Sequence, residues 1–213
     1  KYVERFIQIG TSELYGSVKH AAKESDPIQP TSPYAASKAA FDLYLISVQK
    51  FLKFPMNIIR PSNAYCPGQL LHRVIPKTVV CALKGERLPL HGGGKAEKSF
   101  IHARDLARAI YLVSKKAPLG KIYNVGPKKP TSIKKVVQLT AQALGLPFNK
   151  ICKVTGDRLG QDSRYWLDSS EIKKDVGWEA EIGWEEGLKE MVDWGEKYFD
   201  QLKDWPTSYT MRG

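Results

Sequence analysis

The chain offers almost no sulfur chemistry: Cys66, Cys81 and Cys152 are its only cysteines in 213 residues, and none stands in a CxxC spacing. So odd and sparse a count argues against a disulfide framework or a zinc site. It points instead to reduced thiols, buried as small apolar groups, in a cytoplasmic protein. No apolar run reaches the roughly eighteen residues that a membrane-spanning helix requires. His20, His72, His91 and His102 share no metal-ligand spacing, so no metal is expected. The opening residues, Lys1-Tyr2-Val3-Glu4-Arg5, contain neither an initiator Met nor the apolar core of a signal peptide. That start reads as a cut made inside a domain. Also missing is any strand followed by Gly-x-Gly-x-x-Gly and a helix, the turn that holds a dinucleotide pyrophosphate. Gly92-Gly93-Gly94 does follow a short strand, but Lys95-Ala96-Glu97-Lys98 cannot open an apolar helix, and the triplet reads as a turn.

Acidic residues are outnumbered, leaving a net charge of +11. Lysines occur in pairs (Lys115-Lys116, Lys128-Lys129, Lys134-Lys135, Lys173-Lys174), yet acids lie between them and no basic stripe alternates with aromatics. Solvated helix faces account for this pattern, and no nucleic-acid partner is expected. What is present is a globular composition, 42% hydrophobic and 10% aromatic.

Arg5 to Gly10 reads as a buried strand, followed by a polar, Pro-punctuated stretch over 11–32 that breaks any helix. From Pro33 to about Lys53 the pattern is helical, with Ser32 as N-cap and Pro33 in the first turn. Met56 to Ile59 is a second strand, then come a helix over about 75–84 and a strand over Leu88–His91. Ser99–His102 is strand-like. A helix from Asp105 to about Lys115 follows, with Leu106, Ala109, Ile110 and Val113 on one face. Ile122–Val125 is another strand, and Thr131 is expected to cap a helix with Ile133, Val136, Val137, Thr140 and Leu144 on one side. A single last helix is expected from about Trp184 to Leu202, its Trp184, Trp194, Tyr198 and Phe199 packing a core. Strands alternating with helices argue an α/β fold with parallel strands.

Within that frame the sharpest feature is Tyr34-Ala35-Ala36-Ser37-Lys38. One helical turn places Tyr34 and Lys38 on the same face, and an ammonium beside a phenol favours the phenolate. Such a tyrosine can exchange a proton with a sugar hydroxyl while hydride passes to or from a nicotinamide. Around it stand Gly10-Thr11-Ser12-Glu13-Leu14-Tyr15-Gly16 and Arg60-Pro61-Ser62-Asn63-Ala64-Tyr65-Cys66-Pro67, each at a strand end. Open α/β sheets place their chemistry there. Lys98-Ser99-Phe100-Ile101-His102-Ala103-Arg104-Asp105 and Gly156-Asp157-Arg158-Leu159-Gly160-Gln161-Asp162-Ser163-Arg164-Tyr165 continue the pattern.

In order and spacing, and over essentially the whole chain, these segments resemble the extended short-chain dehydrogenase/reductase family, in its group of NAD-dependent nucleotide-sugar dehydratases, epimerases and decarboxylases. The resemblance implies that Tyr34 is the acid/base and that Lys38 holds the nicotinamide ribose and tunes Tyr34. Thr11 would bond the sugar hydroxyl that is oxidised. In the group's 4,6-dehydratases a Glu at the position of Glu13 removes the C5 proton once C4 is a ketone, and water then leaves from C6. Thr11-Ser12-Glu13 is similar to the version in GDP-mannose 4,6-dehydratases and UDP-glucuronate decarboxylases. The 157–165 run is similar to the dTDP-glucose 4,6-dehydratase form. Asn63, Lys98 and Arg158 would contact the substrate diphosphate, with Gln161 and Tyr165 lining the nucleotide end. Four positions depart from the pattern: Lys98 stands for an Arg, Cys66 for a Gly, Leu159 for a Pro and Gln161 for a His.

The expected fold is thus α/β: the C-terminal part of a doubly wound (Rossmann-type) parallel sheet plus a small α/β substrate-binding lobe. Residues 1–66 would form the first, with the Tyr-Lys helix. Residues 67–213 would be mainly the lobe, with about 99–125 returning to the sheet. The expected function is a 4,6-dehydratase acting with NAD on a nucleotide-diphosphate sugar, in the cytoplasm. A UDP-sugar 4-epimerase, a UDP-glucuronate decarboxylase and a nucleotide-sugar-binding relic are the alternatives. Without the Gly-rich turn the 213 residues alone are expected neither to bind NAD nor to turn over. Family members pack the Tyr-Lys helix into a dimer, and Phe41, Tyr44, Leu45, Val48 and Leu52 offer an apolar face for a homodimer.

Overall fold

The computed structural model describes residues 3–156 and 162–208. In chain order it runs β1 (Phe6–Ile9), α1 (Pro33–Leu52), β2 (Met56–Pro61), β3 (Asn63–Tyr65), α2 (Val74–Leu83) and β4 (Leu88–His91). Then come β5 (Glu97–Lys98), β6 (Phe100–His102), α3 (Ala103–Lys116), β7 (Ile122–Val125), β8 (Thr131–Ser132) and α4 (Ile133–Ala143). The last are α5 (Phe148–Ile151), β9 (Cys152–Thr155), α6 (Ser170–Val176), α7 (Trp184–Lys197) and α8 (Phe199–Leu202). Among the described residues, no helix is long and apolar enough to cross a membrane.

The chain divides into two units, each assembled from three separate segments. The first comprises residues 1–64, 97–130 and 162–181. Its centre is a parallel sheet in the order β1-β2-β7, with Phe6 opposite Met56, Ile9 opposite Ile59, and Ile58 opposite Ile122. Side chains alternate across a strand, so β2 is buried on both faces. Met56 and Ile58 pack with Leu45 of α1, while Ile59 packs with Ala109 and Val113 of α3 and with Tyr123, Ile172 and Trp178. The Trp178 indole is buried and donates to the Asp105 carbonyl at 2.9 Å. Right-handed β-α-β crossovers with helices on both faces are the expected form of such a sheet.

α1 begins as its sequence dictates: the Ser32 hydroxyl accepts from Ala35 N at 3.1 Å, and Pro33 occupies the first turn, where a missing N–H costs nothing. Its apolar stripe divides. Leu45 is buried on the sheet, so the expectation of one continuous outward face is corrected. Phe41, Tyr44 and Leu52 stay exposed, with the Phe41 and Tyr44 rings stacked at 6.2 Å.

The second unit comprises residues 65–96, 131–161 and 182–213. β4 and β9 pair in parallel, Leu88 opposite Cys152 and His91 opposite Thr155. Leu88, Leu90, Val137, Ala141, Ile151 and Cys152 form its core beside α2 and α4. α4 is capped by Ser132, whose hydroxyl accepts from Lys135 N at 3.2 Å, and not by Thr131. Serine at that place reaches the third helical N–H, which the residue before it cannot. The single last helix is corrected to two, α7 and α8, because Tyr198 leaves the helical conformation at φ −109°, ψ 15°. Tyr198 is accordingly exposed, whereas Trp184 stacks on Tyr65 with centroids 5.5 Å apart. Cys81 and Cys152 are buried as expected, but Cys66 is only partly so.

One glycine decides the path between β1 and α1. Gly16 has φ 66° and ψ −154°, and a Cβ there would stand 2.5 Å from the Gln29 carbonyl oxygen. Neither backbone can give way without breaking the bond from Gln29 N to the Leu14 carbonyl. Gly16→Ala is therefore expected to lower stability by about 2–3 kcal/mol. Urea denaturation of the matched proteins measures this, and a loss below about 0.5 kcal/mol would contradict the strained turn.

Candidate active site

The carboxyl ends of β1 and β2 carry the chemistry-bearing residues of the first unit. Directly after β1 the chain makes one 3-10 turn, Ser12–Tyr15, with Thr11 as its N-cap: the Thr11 hydroxyl accepts from Glu13 N at 3.2 Å. The turn fixes Thr11 and Ser12 in the interior and leaves Glu13 half-buried. One turn into α1 stands Lys38, whose ammonium donates to the Ile9 carbonyl at 2.8 Å, at the last residue of β1. The lysine thus points at the strand end from which Thr11 departs. Tyr34 lies one helical turn before it, with 52% of its surface exposed.

Lys98 is the unusual group. Only 6% of the residue is exposed; its Nζ lies 3.3 Å from the Tyr165 ring centroid and donates to the Asp162 carbonyl at 2.8 Å. Burial pulls its pKa down to about 8, against the opposing pull of the Asp162 and Glu13 carboxylates. Glu13 also acts on Tyr165, whose phenol is pushed up first by burial and then by its bond to Asp162. Lys98, Tyr165 and Glu13 therefore form one electrostatically coupled group. Asn63, on β3, is half-buried, and its backbone N–H donates to the Ser99 carbonyl at 3.0 Å, next to Lys98 in sequence. Arg158 and Gln161 lie outside the described residues.

Sequence reasoning assigned no role to Asp162, yet three hydroxyls converge on its carboxylate: Ser17 at 2.8 Å, Thr31 at 2.5 Å and Tyr165 at 2.6 Å. Burial alone would raise this carboxyl, but those bonds and the Lys98 charge together hold it below its ordinary range. Asp162 ties the 162–165 segment to the loop between β1 and α1. No signal in a single sequence marks such a hub, because Ser17 and Thr31 lie far away along the chain.

Arg60 was also read only as part of a motif. It is 1% exposed, and its Nε donates to Asp42 Oδ2 at 2.9 Å while Nη1 donates to the Tyr15 hydroxyl at 2.7 Å. Tyr15 in turn donates to Asn124 Oδ1 at 2.9 Å. Burial pushes the Asp42 carboxyl up, against the pull of Arg60 and Lys38. Among the described residues, no group of three or more His, Cys, Asp and Glu side chains could hold a metal ion.

The Lys98 environment has a measurable consequence. A lysine whose folded pKa is depressed from 10.5 to about 8 binds fewer protons folded than unfolded between those values. Its burial therefore costs stability at neutral pH, and the cost is relieved as pH rises through that window. The stability of Lys98→Met relative to the parent should fall by roughly 2–3 kcal/mol between pH 7 and pH 10. Urea midpoints of the two proteins at each pH measure it, and a pH-independent difference would contradict a buried, desolvated ammonium.

Comparison with known proteins gives this geometry its context. A family model described as GDP-mannose 4,6 dehydratase matches residues 2–191. The chain is 36% identical over 208 residues to mouse dTDP-D-glucose 4,6-dehydratase, covering 95% of this chain and 58% of that one. It superposes with a TM-score of 0.87 on dTDP-glucose 4,6-dehydratase from Bacillus anthracis, solved in complex with NAD, at 33% identity over 92% of this chain and 63% of that one. UDP-glucose 4-epimerase from Thermotoga maritima, solved with UDP-glucose, gives 0.86 at 26% identity, covering 93% and 65%. The chain spans about 30% to 60% of the length of the curated relatives it matches.

Proposed function

Because the chain belongs to the GDP-mannose 4,6-dehydratase family, we propose that it carries the catalytic helix and substrate-binding part of an NAD-dependent nucleotide-sugar 4,6-dehydratase. The observation that carries this reading is Glu13, held half-buried beside Thr11 and electrostatically coupled to Lys98 and Tyr165. A carboxylate in that place suits proton removal from carbon, which a 4-epimerase does not need.

The described residues fit the nicotinamide end of NAD. Lys38 is fixed on the Ile9 carbonyl at a strand end, and the Tyr34 ring is open to approach. When bound, NAD supplies the hydride acceptor for C4 and the hydride donor for C6. Tyr34 takes the proton of the 4-hydroxyl, with Lys38 stabilising its phenolate and Thr11 orienting that hydroxyl. The C4 ketone acidifies the C5 proton. Glu13 removes it and can pass it to the C6 hydroxyl, which departs as water; when C6 is reduced, the same carboxyl can deliver a solvent-derived proton to C5. Asn63, Lys98 and Arg158 bind the diphosphate, and Gln161 and Tyr165 flank the nucleotide. The second unit, which takes in the chain from 67 to 96, serves as the main part of the substrate-binding lobe. The exposed Phe41, Tyr44 and Leu52 on α1 form the seam of a homodimer, so the whole protein should sediment as a dimer at micromolar concentration. We place the reaction in the cytoplasm, in keeping with three unpaired thiols.

The likeness to a UDP-glucose 4-epimerase supports a second reading, in which the same Tyr34 and Lys38 act without Glu13. Glu13→Gln in the whole protein separates the two. The substitution keeps shape but cannot accept a proton, so absorbance from reduced cofactor should appear on mixing with a nucleoside-diphosphate hexose and persist. Elimination should slow by about 10²-fold or more. Tyr34→Phe should suppress both steps. Turnover of Glu13→Gln within severalfold of the parent would refute the dehydratase reading.

A further inference from the structure

We propose that Arg60 is a positioning residue that sets the spacing between the Thr11–Glu13 turn and the Tyr34–Lys38 helix. The proposal rests on the dehydratase reading of those four residues. Two chemical steps must occur on one sugar ring: proton exchange at O4 by Tyr34, and proton removal at C5 by Glu13. The groups belong to different elements, joined by the loop over 16–32, and something must hold them in register.

Arg60 touches both elements at once. Its Nε bonds Asp42 at 2.9 Å, and Asp42 continues the stripe of Tyr34 and Lys38 along α1. Its Nη1 bonds the hydroxyl of Tyr15, the last residue of the turn that carries Glu13, at 2.7 Å. The guanidinium carbon also stands 5.3 Å from the Tyr15 ring centroid. A third contact, from Nη1 to the Glu24 carbonyl at 3.3 Å, holds the loop between the two elements. A planar fork with donors at fixed angles can dictate such a spacing, whereas the single flexible ammonium of a lysine cannot.

The junction is also packed without slack. A Cβ on Gly10 would lie 3.2 Å from both carboxylate oxygens of Asp42 and 3.4 Å from Arg60 Cγ. Asp42 Oδ1 is buried with no hydrogen-bond partner. An ion pair retained with one oxygen unsatisfied is a poor way to gain stability, since apolar side chains of similar volume commonly do as well. A stabilising role therefore does not explain the pair, and control of register does.

The test uses the whole protein with Arg60→Lys, and with the double variant Arg60→Met/Asp42→Leu, which replaces the buried pair by apolar groups. Amide hydrogen exchange should quicken at least tenfold at Ser12–Tyr15 in both variants, with β4 and β9 unchanged. On a nucleoside-diphosphate hexose, kcat should fall at least a hundredfold while KM stays within threefold, because the diphosphate contacts lie elsewhere. A merely structural role would lower the folded fraction and leave kcat per folded molecule intact. The proposal is overturned if the folded double variant keeps kcat within threefold of the parent, or if exchange at the turn is unaltered. Should the parent itself turn over no nucleoside-diphosphate hexose, the dehydratase reading falls, and the exchange measurement still decides whether Arg60 holds the turn.

Discussion

A buried guanidinium at the end of the central strand is the constraint from which the first unit is built. Arg60 enters from β2 with 1% of its surface exposed, and desolvating its charge is tolerable only because Asp42, Tyr15 and the Glu24 carbonyl meet it. Each partner comes from a different stretch of chain. Satisfying one cation thereby fixes the helix, the 3-10 turn and the connecting loop together. Tyr15 passes the constraint on to Asn124 of β7, whose amide bonds the Ala22 carbonyl at 2.8 Å and whose backbone N–H bonds Glu24 at 2.7 Å. The third strand is thereby tied to the same loop.

A second polar centre, around Asp162, gathers the two ends of that loop. Ser17 and Thr31 lie at the loop's two ends, and both bond the one carboxylate that also bonds Tyr165. Lys98 is enclosed in the same act, laid on the Tyr165 ring and held by the Asp162 carbonyl. In the proposed reaction Lys98 would release the Asp162 carbonyl to meet a diphosphate, which repays the desolvation that its lowered pKa records. An Arg there could not lose its charge. The Lys makes charge at this place sensitive to pH near 8.

The strands and helices were legible where periodicity and caps coincide. Ser32-Pro33 marked the start of α1, and the apolar runs at Phe6–Ile9, Met56–Ile59 and Ile122–Val125 marked the sheet. Elements whose local pattern is weak escaped. α6 is only Ser170–Val176, ended by Gly177 in the left-handed region, and β9 is Cys152–Thr155, with Lys153 and Val154 facing water. Both exist through tertiary packing: Ile172 and Val176 fill the core around Trp178, and Cys152 pairs with Leu88. Tyr34 and Lys38 could be singled out because their spacing follows one helical turn, and Thr11 and Glu13 because the short segment that holds them resembles a family motif. Asp162 and Arg60 could not be given roles, since most of their partners come from distant stretches of chain, Ser17 and Thr31 for the one and Tyr15, Glu24 and Asp42 for the other, and nothing local announces a contact.

The central claim is that one constellation carries hydride out of C4 and back into C6 of the same sugar, with Glu13 opening the path between. A nucleoside-diphosphate hexose deuterated at C4 tests it directly in the whole protein, read by mass and NMR of the product. The account predicts deuterium at C6 of a 4-keto-6-deoxy product, transferred within one molecule, with solvent hydrogen at C5. Deuterium found again at C4 of a hexose with inverted configuration, and none at C6, would contradict it.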